Sequence, residues 1–318
     1  MTRFLIRRIG QALIVIVGVI LITFFLARLI PGGEAKAVLG PKATTSGIAR
    51  FNRLNGLDLP IWDQFWQYIE GIFVHLNLGY SYKYNQGVRQ VIGERLPKTL
   101  TLVGASVLIS LVVAIPLGIL QVVRRNKPID YVVTSSSFFF YAMPDFLLGT
   151  LLIIWFAFDL HWFPVSPPSD ASAWAVFTDP RAFVLPVVTL AATTVASFSR
   201  YMRSSMMDAM AEDYIRTARA KGASNRRVLY GHALRNALIP ILTLLGLSLP
   251  AIVSGALIVE TVFNYPGMGL LTVQSAFNDD IPTVLGTTLV ITVATVIGSL
   301  LADILYAVAD PRIRLGGD

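Results

Sequence analysis

The stretch Glu212–Pro240, EDYIRTARAKGASNRRVLYGHALRNALIP, decides how the rest of this chain is read. Between Met202 and Ala237 there are seven cations and three acids, too many charges for a hydrocarbon environment. The segment is also rich in Ala, Arg and Leu, which favour a helix over a disordered linker. A short helix from about Asp213 is expected to end at Gly222, where a residue without Cβ takes up the left-handed cap conformation. Ser224 is placed to cap a second short helix. The expected product is two short helices joined by a glycine elbow. Ala218 and Ala220 offer small side chains amid Arg216, Arg219 and Lys221, a surface suited to docking in a groove on a partner. A helix held at the interface by anionic headgroups fits the same residues, and physical chemistry alone leaves both open.

Working outward, the flanks are of another kind. Of 318 residues, 54% are hydrophobic and 14% charged, which is the balance of a chain dissolved largely in lipid. A bilayer core of roughly 30 Å takes about 20 apolar residues per helix. Six stretches qualify: Ile9–Ile30, Thr99–Val123, Tyr131–Phe158, Phe183–Tyr201, Leu238–Val259 and Thr283–Ala309. The first follows Arg3, Arg7 and Arg8, but its run is too long for a secretory signal and no small-x-small site follows, so it is expected to be retained. Cations sort to one side. Arg124, Arg125, Lys127, the cluster from Arg203 to Arg235, Arg312 and Arg314 fall on the side of the N-terminus, which is therefore expected to be cytoplasmic. The short loops Asp159–Ala182 and Glu260–Pro282 hold Arg181 alone against six acids. The net charge of +7 then reflects topology, and nucleic acid is not an expected partner.

The chain divides into three expected parts. Residues 1–97 hold the first spanning helix and a long outer loop, residues 98–310 a five-helix core with the charged helices at about 213–235, and residues 311–318 a tail. Within the loop, Trp62, Phe65, Trp66, Ile69, Ile72 and Phe73 recur at helical spacing, as in an amphipathic helix lying on the membrane surface or on neighbouring helices. No phosphate-cradling loop, zinc-protease helix or nucleophile elbow is present. Cysteine is absent, and His75, His161 and His232 are scattered, so neither a metal site nor catalytic residues are expected. Any ATP-driven work requires another polypeptide.

Ionisable groups at membrane depth are costly and call for a reason. Asp145 stands beside Pro144 in the third stretch and Asp303 near the inner end of the sixth, while Arg28 and Arg200 lie near span ends and are expected to snorkel. Thr288, Thr292, Thr295, Ser299 and Asp303 share one helical face, and Thr189, Thr193 and Ser197 form a second stripe. Such stripes serve close helix packing or line a path for polar, net-neutral solutes, and spacing does not separate the two.

The segment YIRTARAKGASNRRVLYGHALRNALIP resembles the coupling loop of the membrane subunits of ATP-binding-cassette importers, in particular the dipeptide and oligopeptide branch. Aligned on Gly222, the general motif E-A-A-x-x-x-G places Arg216, Thr217 and Ala218 at its leading positions. The motif glutamate is missing, which leaves Arg216 or nearby Asp213 for the polar contact. ALIVETVFNYPGMG (256–269) and LADILYAVADPRIRLG (301–316) are similar to the terminal region of the B-type subunit, with Ser299 where the family often has asparagine. RFLIRRIGQALIVIVGV, LPKTLTL and MPDFLLG extend the resemblance over essentially the whole chain.

This resemblance implies an all-α, multi-pass protein of the prokaryotic inner membrane. It would have six transmembrane helices, the type I ABC importer transmembrane fold, and both termini in the cytoplasm. It implies a homologous second permease subunit, two cytoplasmic ATPase subunits that bind ATP and Mg, and an extracytoplasmic substrate-binding protein, with no cofactor on this chain. Asp213, Tyr214, Arg216, Thr217, Ala218, Arg219, Ala220, Lys221 and Gly222 would form the ATPase-coupling surface. Asp145, Thr189, Thr193, Thr288, Thr292 and Thr295 would lie along the solute path. Glu260, Phe263, Pro266, Gly267 and Gly269 would form an outer gate or binding-protein dock, or equally a helix connector. Peptides are the expected cargo, with nickel chelates or oligosaccharides as alternatives within the class. An ATP-independent secondary transporter is the rival outside it, for which the inverted repeats are not seen.

Overall fold

The computed structural model describes residues 2–29, 33–168, 170–254 and 256–309, of which 2–6, 247–254 and 303–309 are described by backbone alone. It is built almost wholly of helices. Helix α1 (Thr2–Arg28) is followed by α2 (Gly33–Leu39), α3 (Thr45–Leu54), α4 (Ile61–Phe73) and a two-stranded ribbon, β1 (Tyr80–Ser81) paired antiparallel with β2 (Gln86–Gly87). The remainder comprises α5 (Val88–Val123), α6 (Pro128–Ala142), α7 (Asp145–Leu152), α8 (Ala175–Thr178), α9 (Val184–Ala211), α10 (Asp213–Ala220), α11 (Leu234–Ser254), α12 (Leu257–Val262), α13 (Met268–Phe277) and α14 (Ile281–Ala309).

Among the described residues five continuous segments are long and apolar enough to cross a membrane: Arg7–Arg28, Val88–Val123, Pro180–Ala211, Arg227–Gly246 and Ile281–Ala302. The third expected span is instead a broken one. Pro128–Ala142 and Asp145–Asp159 meet at 104°. Proline at 144 lacks the amide donor and pushes the preceding residue out of the helical region, and Met143 accordingly has φ −78° and ψ 126°. Asp145 therefore opens a new helix, which ends in a π-helical turn over Ile153–Asp159.

Two boundaries differ from those expected. Pro97 and Lys98 lie inside α5, so the proposed division at 97/98 cuts a continuous helix; one missing amide bond is outweighed by the packing of the flanking turns. The segment after Ser224 is not a separate short helix. It runs through a π-helical turn, Arg227–Ala233, directly into α11, so the fifth span begins about a dozen residues earlier than its apolar run.

Packing follows small residues. At Gly118 of α5 an added Cβ would stand 2.6 Å from Met202 Cβ and 3.0 Å from the Arg203 amide nitrogen, so α5 and α9 approach with no room for a side chain. The amphipathic helix expected in the first loop is α4. It buries Phe65 and Ile72 against Ile20 and Phe24 of α1 and Leu289 of α14, while Trp62 and Trp66 remain exposed. Arg28, at the end of α1, lies over Phe24 and pairs with Glu34 at 3.4 Å. Burial raises the Glu34 carboxyl above its ordinary range, with Arg28 opposing the rise.

Candidate functional site

The charged insert folds as a capped helix seated by one face. Gly222 closes α10 with φ +77°. Its N–H donates to the Arg219 carbonyl at 2.9 Å and the Ala223 N–H donates to Ala218 at 3.1 Å, the paired bonds of a left-handed C-terminal cap. Ser224 caps the next helix, its hydroxyl accepting from the Arg227 amide. Ile215 and Ala218 point inward against Met206 and Ala209 of α9 and Val228 and Ala233 of the π turn. The opposite face, Asp213, Tyr214, Arg216, Thr217, Arg219, Ala220 and Lys221, is exposed, as is Gly222. Ala218 is thus no part of the open surface: it lets α10 approach its own protein. Arg216 and Asp213, the two candidates for the missing glutamate, bond each other at 3.2 Å. So exposed a pair contributes little and is free to exchange for another partner.

The bend between α6 and α7 holds the second group. The Asp145 carboxyl faces Thr193 of α9, and its Oδ1 is enclosed with no hydrogen-bond partner. Thr193, Thr288, Thr292 and Thr295 are half-buried. Thr292 donates to the Thr288 carbonyl one turn back at 2.7 Å. Thr189 is a correction: it is fully buried and its hydroxyl donates to Leu185 within its own helix, so in this conformation it packs and lines nothing. Ser299 is exposed. The side chain of Asp303 and residues 310–318 lie outside the described residues.

The third group is a buried knot between α5, α12 and α13. Glu260 is 0% exposed. Its Oε1 accepts from the Thr99 hydroxyl at 2.7 Å, and its Oε2 accepts from the amides of Gly269 at 2.7 Å and Leu270 at 3.1 Å. These amides open α13, so the carboxylate caps a helix N-terminus. Thr99 in turn accepts from the Met268 amide, and the Tyr265 hydroxyl donates to the Lys98 carbonyl. A Cβ at Gly267 would fall 2.4 Å from Glu260 Cδ, and one at Gly269 would fall 2.5 Å from Leu257 Cα, which is why both positions are glycine. Burial drives the Glu260 carboxyl above its usual range, opposed by these three hydrogen bonds. The Tyr265 phenol is likewise raised by burial. Glu260, Phe263, Pro266, Gly267 and Gly269 are all buried in this conformation. The surface here is left to Thr261 and Asn264, and the hydrogen bonds of Glu260 tie α12 and α13 to α5 in this conformation.

Comparison with known proteins now bears on these features. Residues 110–315 match the family described as binding-protein-dependent transport system inner membrane component, and residues 1–103 match the N-terminal region of such components. The chain belongs to this family.

The permease is 36% identical over 316 residues to the oligopeptide transport system permease protein AppB of Bacillus subtilis, covering 99% of this chain and 100% of that one. It is 33% identical to the dipeptide transport system permease protein DppB of Lactococcus lactis, covering 99% and 100% respectively. It is 35% identical to the probable D,D-dipeptide transport system permease protein DdpB of Escherichia coli, covering 98% and 97%. The permease is therefore an integral inner-membrane protein with the type I ABC importer permease domain.

Several residues that hold this permease together carry no signal in the sequence. Thr99 and Tyr265 meet Glu260 and Lys98 from more than 160 positions away. Asp130 of α6 takes Arg203 of α9 in a two-pronged pair, with Nε at 3.0 Å and the second nitrogen at 3.1 Å, and also accepts the Asn126 amide. An acid in the first turn of an apolar span was the one available hint. Arg200 does not reach for a span end. It lies eleven residues before the end of α9, over the rings of Phe138 and Tyr141.

Proposed function

We propose that this chain is the membrane-spanning permease subunit of an ATP-driven peptide importer. It would pair with a homologous permease, two cytoplasmic ATPase subunits that bind ATP and Mg, and an extracytoplasmic substrate-binding protein. The observation that carries this reading is the anchored elbow: α10 turns Ile215 and Ala218 inward and leaves Asp213, Tyr214, Arg216, Thr217, Arg219 and Lys221 exposed in a row. A load on that row passes through Ile215 to Met206 of α9 and to Val228 in the turn leading into α11, so two spans receive it together. The cation bias of the same end of the bundle supports a cytoplasmic position for α10 and for both termini.

In this reading ATP-driven closure of the ATPases draws two coupling elbows together. The bundles then rotate as rigid bodies between states that face opposite sides. Asp145, Thr193, Thr288, Thr292 and Thr295 lie along the solute path. The Glu260 knot keeps α12 and α13 fixed to α5 while it moves. Hydrolysis belongs to the partners, and the names of the relatives support oligopeptides or dipeptides as cargo.

The test is reconstitution. Peptide uptake into vesicles is expected only when the chain is joined by ATPases, second permease, binding protein and ATP. Because the chain has no cysteine, Arg219→Cys gives a single label, expected to react only from the ATPase side. Uptake by the chain alone, or labelling from the opposite side, overturns the proposal.

A further inference from the structure

Two arginines three residues apart on α9 reach in opposite directions. Arg203 extends toward the start of α6 and is neutralised there by Asp130. Arg200 extends toward the other end of α6, its guanidinium carbon 4.4 Å from the Tyr141 ring centre and 5.2 Å from that of Phe138. A hydroxyl contact between Ser137 and Ser199 at 3.3 Å fixes the level of the two helices, and Tyr141 lies one turn beyond it toward the break at Pro144. The Arg200 charge is thus carried away from the nearer end of α9. That direction is natural for a helical side chain, which leans toward its helix N-terminus.

Among the described residues Arg200 forms no ion pair, and its buried Nε has no hydrogen-bond partner. Aromatic faces hold and orient a guanidinium but do not neutralise it. An unneutralised cation at membrane depth calls for water or an anion. Seven residues back on α9, two turns away and so on the same face, Thr193 meets Asp145, whose Oδ1 is also enclosed and unpaired. The two unfilled groups have opposite charge. Seven residues of helix place the Cα atoms of Thr193 and Arg200 about 10 Å apart at 1.5 Å per residue, and the lean of Arg200 toward Thr193 brings the charged groups closer than that, within the span of a short extended peptide.

We propose that Arg200 is the carboxylate-recognising group of the solute path, with Asp145 and Thr193 receiving the ammonium end of the same zwitterionic peptide. Phe138 and Tyr141 hold the guanidinium in place, so that the planar fork faces a carboxylate without a neighbouring acid to quench it. The assignment rests on the peptide-import reading above and adds to it a recognition site on this chain, separate from selection by the binding protein.

The absence of cysteine allows a test that does not depend on uptake. Ser197, half-buried between Thr193 and Arg200, is replaced by cysteine in the complete complex in detergent. Its rates with anionic and cationic methanethiosulfonates of similar size are then compared. The anionic reagent is expected to be favoured about 5- to 10-fold, as for a charge attracting an ion in a water-filled cleft. Arg200→Met should abolish the preference and Arg200→Lys should keep it. Trialanine, but not its C-terminal amide, should slow the reaction. A cysteine at Thr193 repeats the measurement if the first variant does not assemble. Lack of reaction at both positions, or a preference that survives Arg200→Met, overturns the assignment. A Ser197→Cys complex that shows the preference, beside a wild-type complex that takes up no peptide with ATP, would instead overturn the import reading.

Discussion

Replacing Glu260 by alanine tests the buried knot directly. The substitution leaves three donors facing a void: the Thr99 hydroxyl and the amides of Gly269 and Leu270. At about 1–3 kcal/mol for each buried donor left unmet, partly relieved by entering water, the loss is roughly 3–6 kcal/mol. Glu260→Gln keeps the shape. Its amide oxygen still accepts from both backbone donors, and only the Thr99 proton loses its acceptor, so the cost is about 1–2 kcal/mol. At roughly 2–3 °C per kcal/mol, thermal unfolding of the purified complex in detergent should fall by about 10 °C for E260A and about 3 °C for E260Q. The coupling to Gly267 sharpens the test. An added Cβ there collides with the Glu260 carboxyl, so Gly267→Ala should be damaging in the native chain and much less so on the E260A background. Equal midpoints for E260A and E260Q, or additive effects of E260A and Gly267→Ala, would refute the account of the knot.

The same carboxyl sets a pH dependence. Burial raises its pKa above the ordinary 4.5 of a glutamate carboxyl, so the folded protein holds this proton at pH values where the unfolded chain has released it. Stability from this group is full below 4.5 and is lost as pH rises through the raised value, and E260Q should flatten that part of the midpoint-versus-pH curve. Gly118→Ala should separate α5 from α9, since the clash is with Met202 Cβ and a backbone nitrogen; a loss of about 1–3 kcal/mol is expected from overpacking, read as a lowered unfolding midpoint. Gly222→Val should insert and assemble normally, because nothing stands within 4 Å of its Cβ. The strained positive φ costs about 1–2 kcal/mol for an ordinary residue, displaces the elbow, and should sharply reduce ATP hydrolysis stimulated by loaded binding protein. Asp130→Asn should cost about 1–3 kcal/mol by breaking the two-pronged pair with Arg203, and a double-mutant cycle with Arg203→Gln should recover most of that as coupling.

The sequence by itself determined the solvent, the helical class and the capped elbow. These rest on local facts: runs of apolar side chains, glycine's tolerance of positive φ at 222, and a hydroxyl at 224 in reach of the next amides. Local signals also marked Pro144, but not the size of the bend, which depends on how α7 packs after the break. What the fold alone decided is which side of each element faces inward. Ala218 looked open in a charged segment and is buried, because the face that carries it meets α9 and the π turn. Glu260 followed an apolar run and read as a surface loop, yet its partners Thr99, Gly269 and Leu270 come from two other helices. Arg200 sat close to the expected end of the fourth span, but that helix continues to Ala211 and leaves the charge well inside it. Spacing along one chain fixes neighbours within a helix, whereas the match between charges on different helices exists only once those helices have packed.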